Sequence, residues 1–124
     1  MSAIARLAAV SLDCAEPVPL ADFYQRVTGG SIIFSSPSFV ALNVDGFLLT
    51  FQQVEEYRPP QWPAGLPKQL HLEFAAADLD ATEAELLASG ATKAENQPRP
   101  QGWRVLFDPA GHPFCISAMI PEDL

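Results

Sequence analysis

One order of elements occurs twice in this chain, and that repetition constrains the fold more than any other feature. From Ile4 to Val54 the sequence reads as strand, helix, Gly and three short strands, and from Gln69 to Met119 the same order returns. The first helix is expected over Pro17–Val27, with Leu20, Phe23, Tyr24 and Val27 at the 3- and 4-residue spacing of an apolar stripe, and it stops at Gly29-Gly30. The second is expected over Leu79–Ala88, capped by Asp78 and stopped by Gly90. Glycine after a last turn can take the left-handed backbone that ends a helix. Two copies of one motif in a small domain predict a pseudo-two-fold pair with a groove where they meet.

The strands follow from alternation and from turn residues. Those of the first copy are expected at Ile4–Asp13, Ser31–Phe34, Phe39–Val44 and Phe47–Val54, with Asp45-Gly46 at the tip of the clearest hairpin. Those of the second are expected at Gln69–Ala75, Thr92–Gln97, Gly102–Asp108 and Pro113–Ala118. Residues 55–68 hold four prolines in fourteen positions, which excludes regular structure and predicts an extended surface connector.

Composition excludes several classes of function. At 124 residues, 48% of them hydrophobic and 18% charged, the chain is expected to form one globular domain spanning 1–124. No apolar run approaches the ~20 residues that span a bilayer. Arg6 and Asp13 interrupt the early apolar stretch, so no signal peptide is read and a cytoplasmic protein is expected. A net charge of −8 argues against nucleic acid and anionic membrane surfaces as partners. Cys14 and Cys115 have no CxxC partner and read as buried reduced thiols, a disulfide between them requiring their strand ends to meet.

Four short motifs in order carry a family resemblance. They are Phe23-Tyr24 on the first helix, and His71-Leu72-Glu73-Phe74 followed by Asp78-Leu79-Asp80. Then come Ala88-Ser89-Gly90-Ala91 and Asp108-Pro109-Ala110-Gly111-His112-Pro113-Phe114. With these the chain resembles the vicinal oxygen chelate superfamily of glyoxalases, bleomycin-resistance proteins and extradiol dioxygenases. The resemblance implies an α+β fold in which two tandem βαβββ modules, about 4–54 and 69–119, form a cupped eight-stranded mixed sheet with the helices on its outer face. It also implies a homodimer.

In metal-dependent relatives the first and last strand of each module bear one ligand each. Carried onto this chain, those positions fall at or near Ala9, on Thr50 or Gln52, on His71 and on Cys115. Alanine has no donor atom, and a catalytic metal of this type needs about three protein ligands. A His71/Cys115/Glu73 zinc site is the weaker alternative. Alternation puts His71 and Glu73 on the concave face and turns Leu72 and Phe74 toward the helix. His71 then reads as a polar anchor in an apolar pocket.

Other candidates each have a plainer reading beside the functional one. Trp62 and Tyr57 could fold over a ligand or a subunit boundary, or pin the connector to the sheet. Trp103 and Arg104 fall near the groove mouth, where Arg104 could bind a carboxylate or phosphate, or pair with one of fifteen acidic residues. His112 reads as exposed structure within a turn. Two functions are compatible with this set. One is metal-independent binding of a small organic molecule, with no cofactor, involving His71, Glu73, Gln52, Thr50, Cys115, Trp103, Arg104 and Trp62. The other is a lyase, isomerase or dioxygenase using a divalent metal at His71, or acid–base chemistry by His71 and Glu73.

Overall fold

The computed structural model describes residues 3–123. It contains β1 (Ala9–Cys14), α1 (Pro17–Thr28), β2 (Ser31–Ser36), β3 (Phe39–Val44) and β4 (Phe47–Gln53), then β5 (Leu72–Ala75), α2 (Leu79–Ala88), β6 (Thr92–Lys93), β7 (Trp103–Phe107) and β8 (Pro113–Ser117). The order is βαβββ twice, as the repeat requires. The ladders form two four-stranded sheets, β1-β4-β3-β2 and β5-β8-β7-β6, each with one parallel pair and two antiparallel ones. The hydrogen-bonded sheet is thus four strands per module. The chain divides into two compact units, with the boundary between Arg58 and Pro59. The second unit therefore includes most of the connector.

In the first unit α1 begins with Pro17 at its first turn, where a missing N–H costs nothing. It ends on Gly29 at φ 72°, whose N–H donates to the Gln25 carbonyl at 2.8 Å. Its stripe of Leu20, Phe23 and Tyr24 is buried. Tyr24 stacks on Phe51 of β4 with centroids 5.7 Å apart, so Leu49 and Phe51 face the helix, and Thr50 and Gln52 face away. The Asp45-Gly46 hairpin forms as expected, with positive φ at both residues and the Asn43 side-chain oxygen accepting from the Gly46 N–H at 2.9 Å.

The second unit is built around β8, all five residues of which are buried. Asp78 caps α2 by accepting from the Ala81 N–H at 3.0 Å. Register separates the two faces of the sheet. Ile116 of β8 lies opposite Arg104 of β7 and Phe74 of β5, whereas Cys115 lies opposite Val105 and Glu73. Arg104 reaches Asp80 of α2, so Ile116, Phe74 and their row are on the helix side, with the Phe74 ring edge-on to Phe114 at 5.7 Å. Leu72 shares this row; Glu73 does not. The expected strand parity is the observed one.

Three strands are shorter than alternation predicts by three residues or more, and each has a physical stop. β1 begins at Ala9 rather than Ile4 because its parallel partner β4 begins at Phe47; Ile4 and Leu7 are exposed. β5 begins at Leu72 rather than Gln69 because Gln69 has φ 67°, outside the strand region, so His71 stands just ahead of the ladder. β6 stops at Lys93 rather than Gln97 because the Gln97 side chain replaces the backbone. Its Nε2 donates to the Ala94 and Val105 carbonyls at 2.7 and 2.8 Å, and its Oε1 accepts from the Val105 N–H at 2.9 Å. One primary amide thus completes the ladder beside Val105.

Truncating Gln97 strands those groups in a half-buried place. Gln97→Ala should lower the unfolding free energy by about 2 kcal/mol in chemical denaturation. Gln101→Ala, at an exposed position nearby, should change it by less than about 0.5 kcal/mol. Equal effects at the two positions would contradict this role for Gln97.

Candidate ligand face of the second unit

Because successive strand residues point to opposite faces, Trp103 and Arg104 cannot line one site. The structure puts Trp103 on the face away from α2, in the row with Val105, Cys115 and Glu73. Arg104 is on the helix side and buried. Its Nη1 lies 2.8 Å from Asp80 Oδ1 and 3.4 Å from Glu83 Oε1, and its Nε donates to the Pro100 carbonyl at 2.9 Å. The hydrogen bond to Asp80 raises its pKa further. Of the two readings open for Arg104, the geometry realises the acidic pair, and the residue stands apart from the other candidates.

The face away from α2 is apolar at its centre. Ala94, Val105 and Cys115 form a buried cluster, and Trp62, Trp103 and Phe107 pack against it. Trp62 comes from the connector. It is held there by a tight turn in which the Gly65 N–H donates to the Gln61 carbonyl at 2.7 Å. A Cβ on residue 65 would sit 2.6 Å from that carbonyl, which is why the position takes Gly. Upstream, Pro59 lies against Gly111, and a cleft of about 610 Å³ opens between Pro59, Pro60, Phe107 and the 108–111 turn.

Polar groups border this apolar surface. His71 Nε2 lies 3.7 Å from Glu73 Oε2, both side chains partly exposed, and Glu73 neighbours Cys115 in register. The Lys68 ammonium sits 4.2 Å from the centroid of the Trp62 ring, and the Arg99 guanidinium 5.8 Å from that of Trp103. Burial pushes the Cys115 thiol above its ordinary pKa; Lys68 opposes the shift and Glu73 adds to it.

Thr50 and Gln52 belong to the first unit. Thr50 is buried, its hydroxyl 2.5 Å from that of Ser11, and Gln52 is exposed opposite Asp13. Thus His71, Glu73, Cys115, Trp62 and Trp103 share one face of the second unit, which Thr50, Gln52 and Arg104 do not. Two residues absent from the expected set belong to it, Phe107 and Lys68. Phe107 has the parity of Trp103 and was readable from alternation; Lys68 was concealed in the connector.

His112 is not the exposed turn residue expected. Its Nδ1 is 2.7 Å from Oδ2 of buried Asp108, whose Oδ1 accepts from the Ala110 and His112 N–H groups at 2.9 and 3.0 Å. The Asp108–His112 spacing of four was the signal for this self-bonded turn.

The donor set does not fit a catalytic metal. Among the described residues no group of three His, Cys, Asp or Glu is arranged to hold one. Ala9 offers no donor, Cys115 is a buried thiol whose thiolate is disfavoured, and a metal binds the thiolate. Raised in the fold, that pKa favours the folded state fully below the unfolded thiol's pKa and loses the contribution as pH rises through the folded value. Alkylation of Cys115, followed by site-resolved mass spectrometry, should still be accelerating above pH 9.0, the ordinary thiol pKa. Trp62→Ala should speed it at least about tenfold at pH 8 by uncovering the sulfur; a rate that levels off below pH 8 would contradict the buried thiol.

The sequence matches the glyoxalase-like domain family over residues 9–117. No curated protein matches it. Among solved structures, a glyoxalase/bleomycin resistance protein/dioxygenase family enzyme from Burkholderia phytofirmans is similar at 27% identity and TM-score 0.66, over 90% of this chain and 97% of that one. A possible glyoxalase from Bacillus cereus is similar at 19% identity and TM-score 0.67, again over 90% and 97%. The fosfomycin resistance protein FosX from Listeria monocytogenes, as a mutant complexed with manganese(II) and a dihydroxypropylphosphonic acid, shares the fold at 17% identity and TM-score 0.71, over 98% and 94%. With its two βαβββ modules and a match over nearly its whole length, the chain belongs to the glyoxalase-like domain family of the vicinal oxygen chelate superfamily.

Proposed function

We propose that this protein binds a small organic molecule without a metal, on the face of the second unit that carries Trp62 and Trp103. The observation that supports this reading most is the composition of that face. It has an apolar, aromatic centre with the His71–Glu73 pair at its margin, the usual make-up of a small-ligand site. The aromatic rings would supply contact area, and His71 and Glu73 would orient the polar end of the ligand. In this reading the protein works in the cytoplasm as a homodimer, the commonest closed assembly. Thr50 and Gln52 are then secondary candidates in the first unit.

The metal-dependent alternative draws on the superfamily and on the manganese complex of FosX. The donor chemistry of this chain argues against it, since His71 and Glu73 are two donors and Cys115 is buried in a cluster against which both indoles pack. In thermal-shift screening, hits from a library of small aromatic and polar organics should raise the melting temperature equally before and after chelator treatment. His71→Ala and Trp62→Ala should each weaken such a hit, by about tenfold for loss of a buried contact. Elemental analysis after incubation with zinc, nickel, iron(II) and manganese should find substoichiometric metal. One bound metal per chain, lost in His71→Ala, would overturn the reading. Light scattering should give twice the monomer mass of 13.4 kDa, and a monomer mass would remove the dimer from the account.

A further inference from the structure

We infer that the ligand of this face is an organic cation, and that the Lys68 side chain is its built-in stand-in. The inference rests on the ligand-face reading above and adds the chemical class. It starts from where the cationic side chains go. Arg104 and Lys93 pair with carboxylates on α2. Lys68 and Arg99 do not; among the described residues neither is in an ion pair, although the chain has fifteen acidic residues. Each lies over an indole of this one face, Lys68 over Trp62 and Arg99 over Trp103.

An indole face attracts a cation through its quadrupole, within about 6 Å of the centroid and more strongly where water is displaced. The Lys68 ammonium is inside that range, and Lys68 is half-buried. Glu73 adjoins Cys115 in register, and Trp62 packs against the cluster that contains Cys115, so this face carries a carboxylate as well as the indole. An exposed ring face on an acidic surface is a receptor for an alkylammonium group. The tether on Lys68 makes it a resident competitor at high effective concentration. The net charge of −8 draws cations toward the surface as a whole. An organic cation would enter by lifting the Lys68 ammonium off Trp62 and occupying the ring face in its place.

Calorimetric titration with choline tests this in the parent protein, in Lys68→Gln and in Trp62→Phe. Lys68→Gln keeps the stem and removes the resident charge, so it should bind choline about tenfold more tightly than the parent. Trp62→Phe, which keeps an aromatic packing group but weakens the quadrupole, should reverse most of that gain; circular dichroism verifies its fold. Dimethylbutanol, the uncharged isostere of choline, should bind Lys68→Gln at least about tenfold more weakly than choline does. Choline binding that Lys68→Gln leaves unchanged or weakens overturns the inference, as does dimethylbutanol binding as tightly as choline. In the latter case quenching of tryptophan fluorescence by the alcohol would show the face still taking a ligand. The cation class would then have failed and the ligand-face reading would stand.

Discussion

Burial of β8 on both faces is the constraint on which the second unit depends. Five consecutive residues, Pro113 to Ser117, lose contact with solvent, so each face of the strand needs a cover. α2 supplies one cover, through Leu86 and Leu79 and the Arg104 pair with Asp80 and Glu83. Among the described residues of this unit no second helix is present for the other face. Trp62 of the connector lies there instead, with Trp103 and Phe107 beside it on Cys115 and Val105. A large aromatic in a segment barred from the sheet by its prolines buries its ring on the nearest apolar surface. The connector is therefore part of the second unit's core, and the face it covers is the one with ligand-like composition.

That double use of one surface also bears on Cys115, whose burial favours the neutral thiol. It stands at the position where metal-dependent relatives are expected to carry a donor, but desolvation holds its proton on. The same desolvation strengthens interactions between a cation and an indole at the border of the cluster. An aromatic surface on which, among the described residues, no three metal donors cluster supports the proposed recognition by shape and charge.

Much of the fold was legible because it rests on local signals. The helix of Leu79–Ala88 and the strand of Phe39–Val44 have the ends that alternation, the Asp78 cap and turn residues predict. The parity of Glu73 followed from period two, and the place of Cys115 from the family resemblance. The misses are tertiary. Nothing local says that Ile4–Leu7 stays outside the ladder, since that is decided by where β4 begins. Nothing in a period-two pattern says that the Gln97 amide takes over from the backbone of β6. At the site, alternation alone separates Arg104 from Trp103, whereas the approach of Lys68 to Trp62 depends on the path of a proline-rich loop.

Small-molecule recognition on the Trp62–Trp103 face is the proposal from which the others follow. It is tested most directly by following the two indole N–H resonances of nitrogen-15-labelled protein while a bound small molecule is titrated in. The account predicts saturable shifts of both indole signals, with the Trp62 signal moving further because its ring is the one that must yield to the ligand. Saturable binding elsewhere, with both indole resonances unmoved, would contradict it.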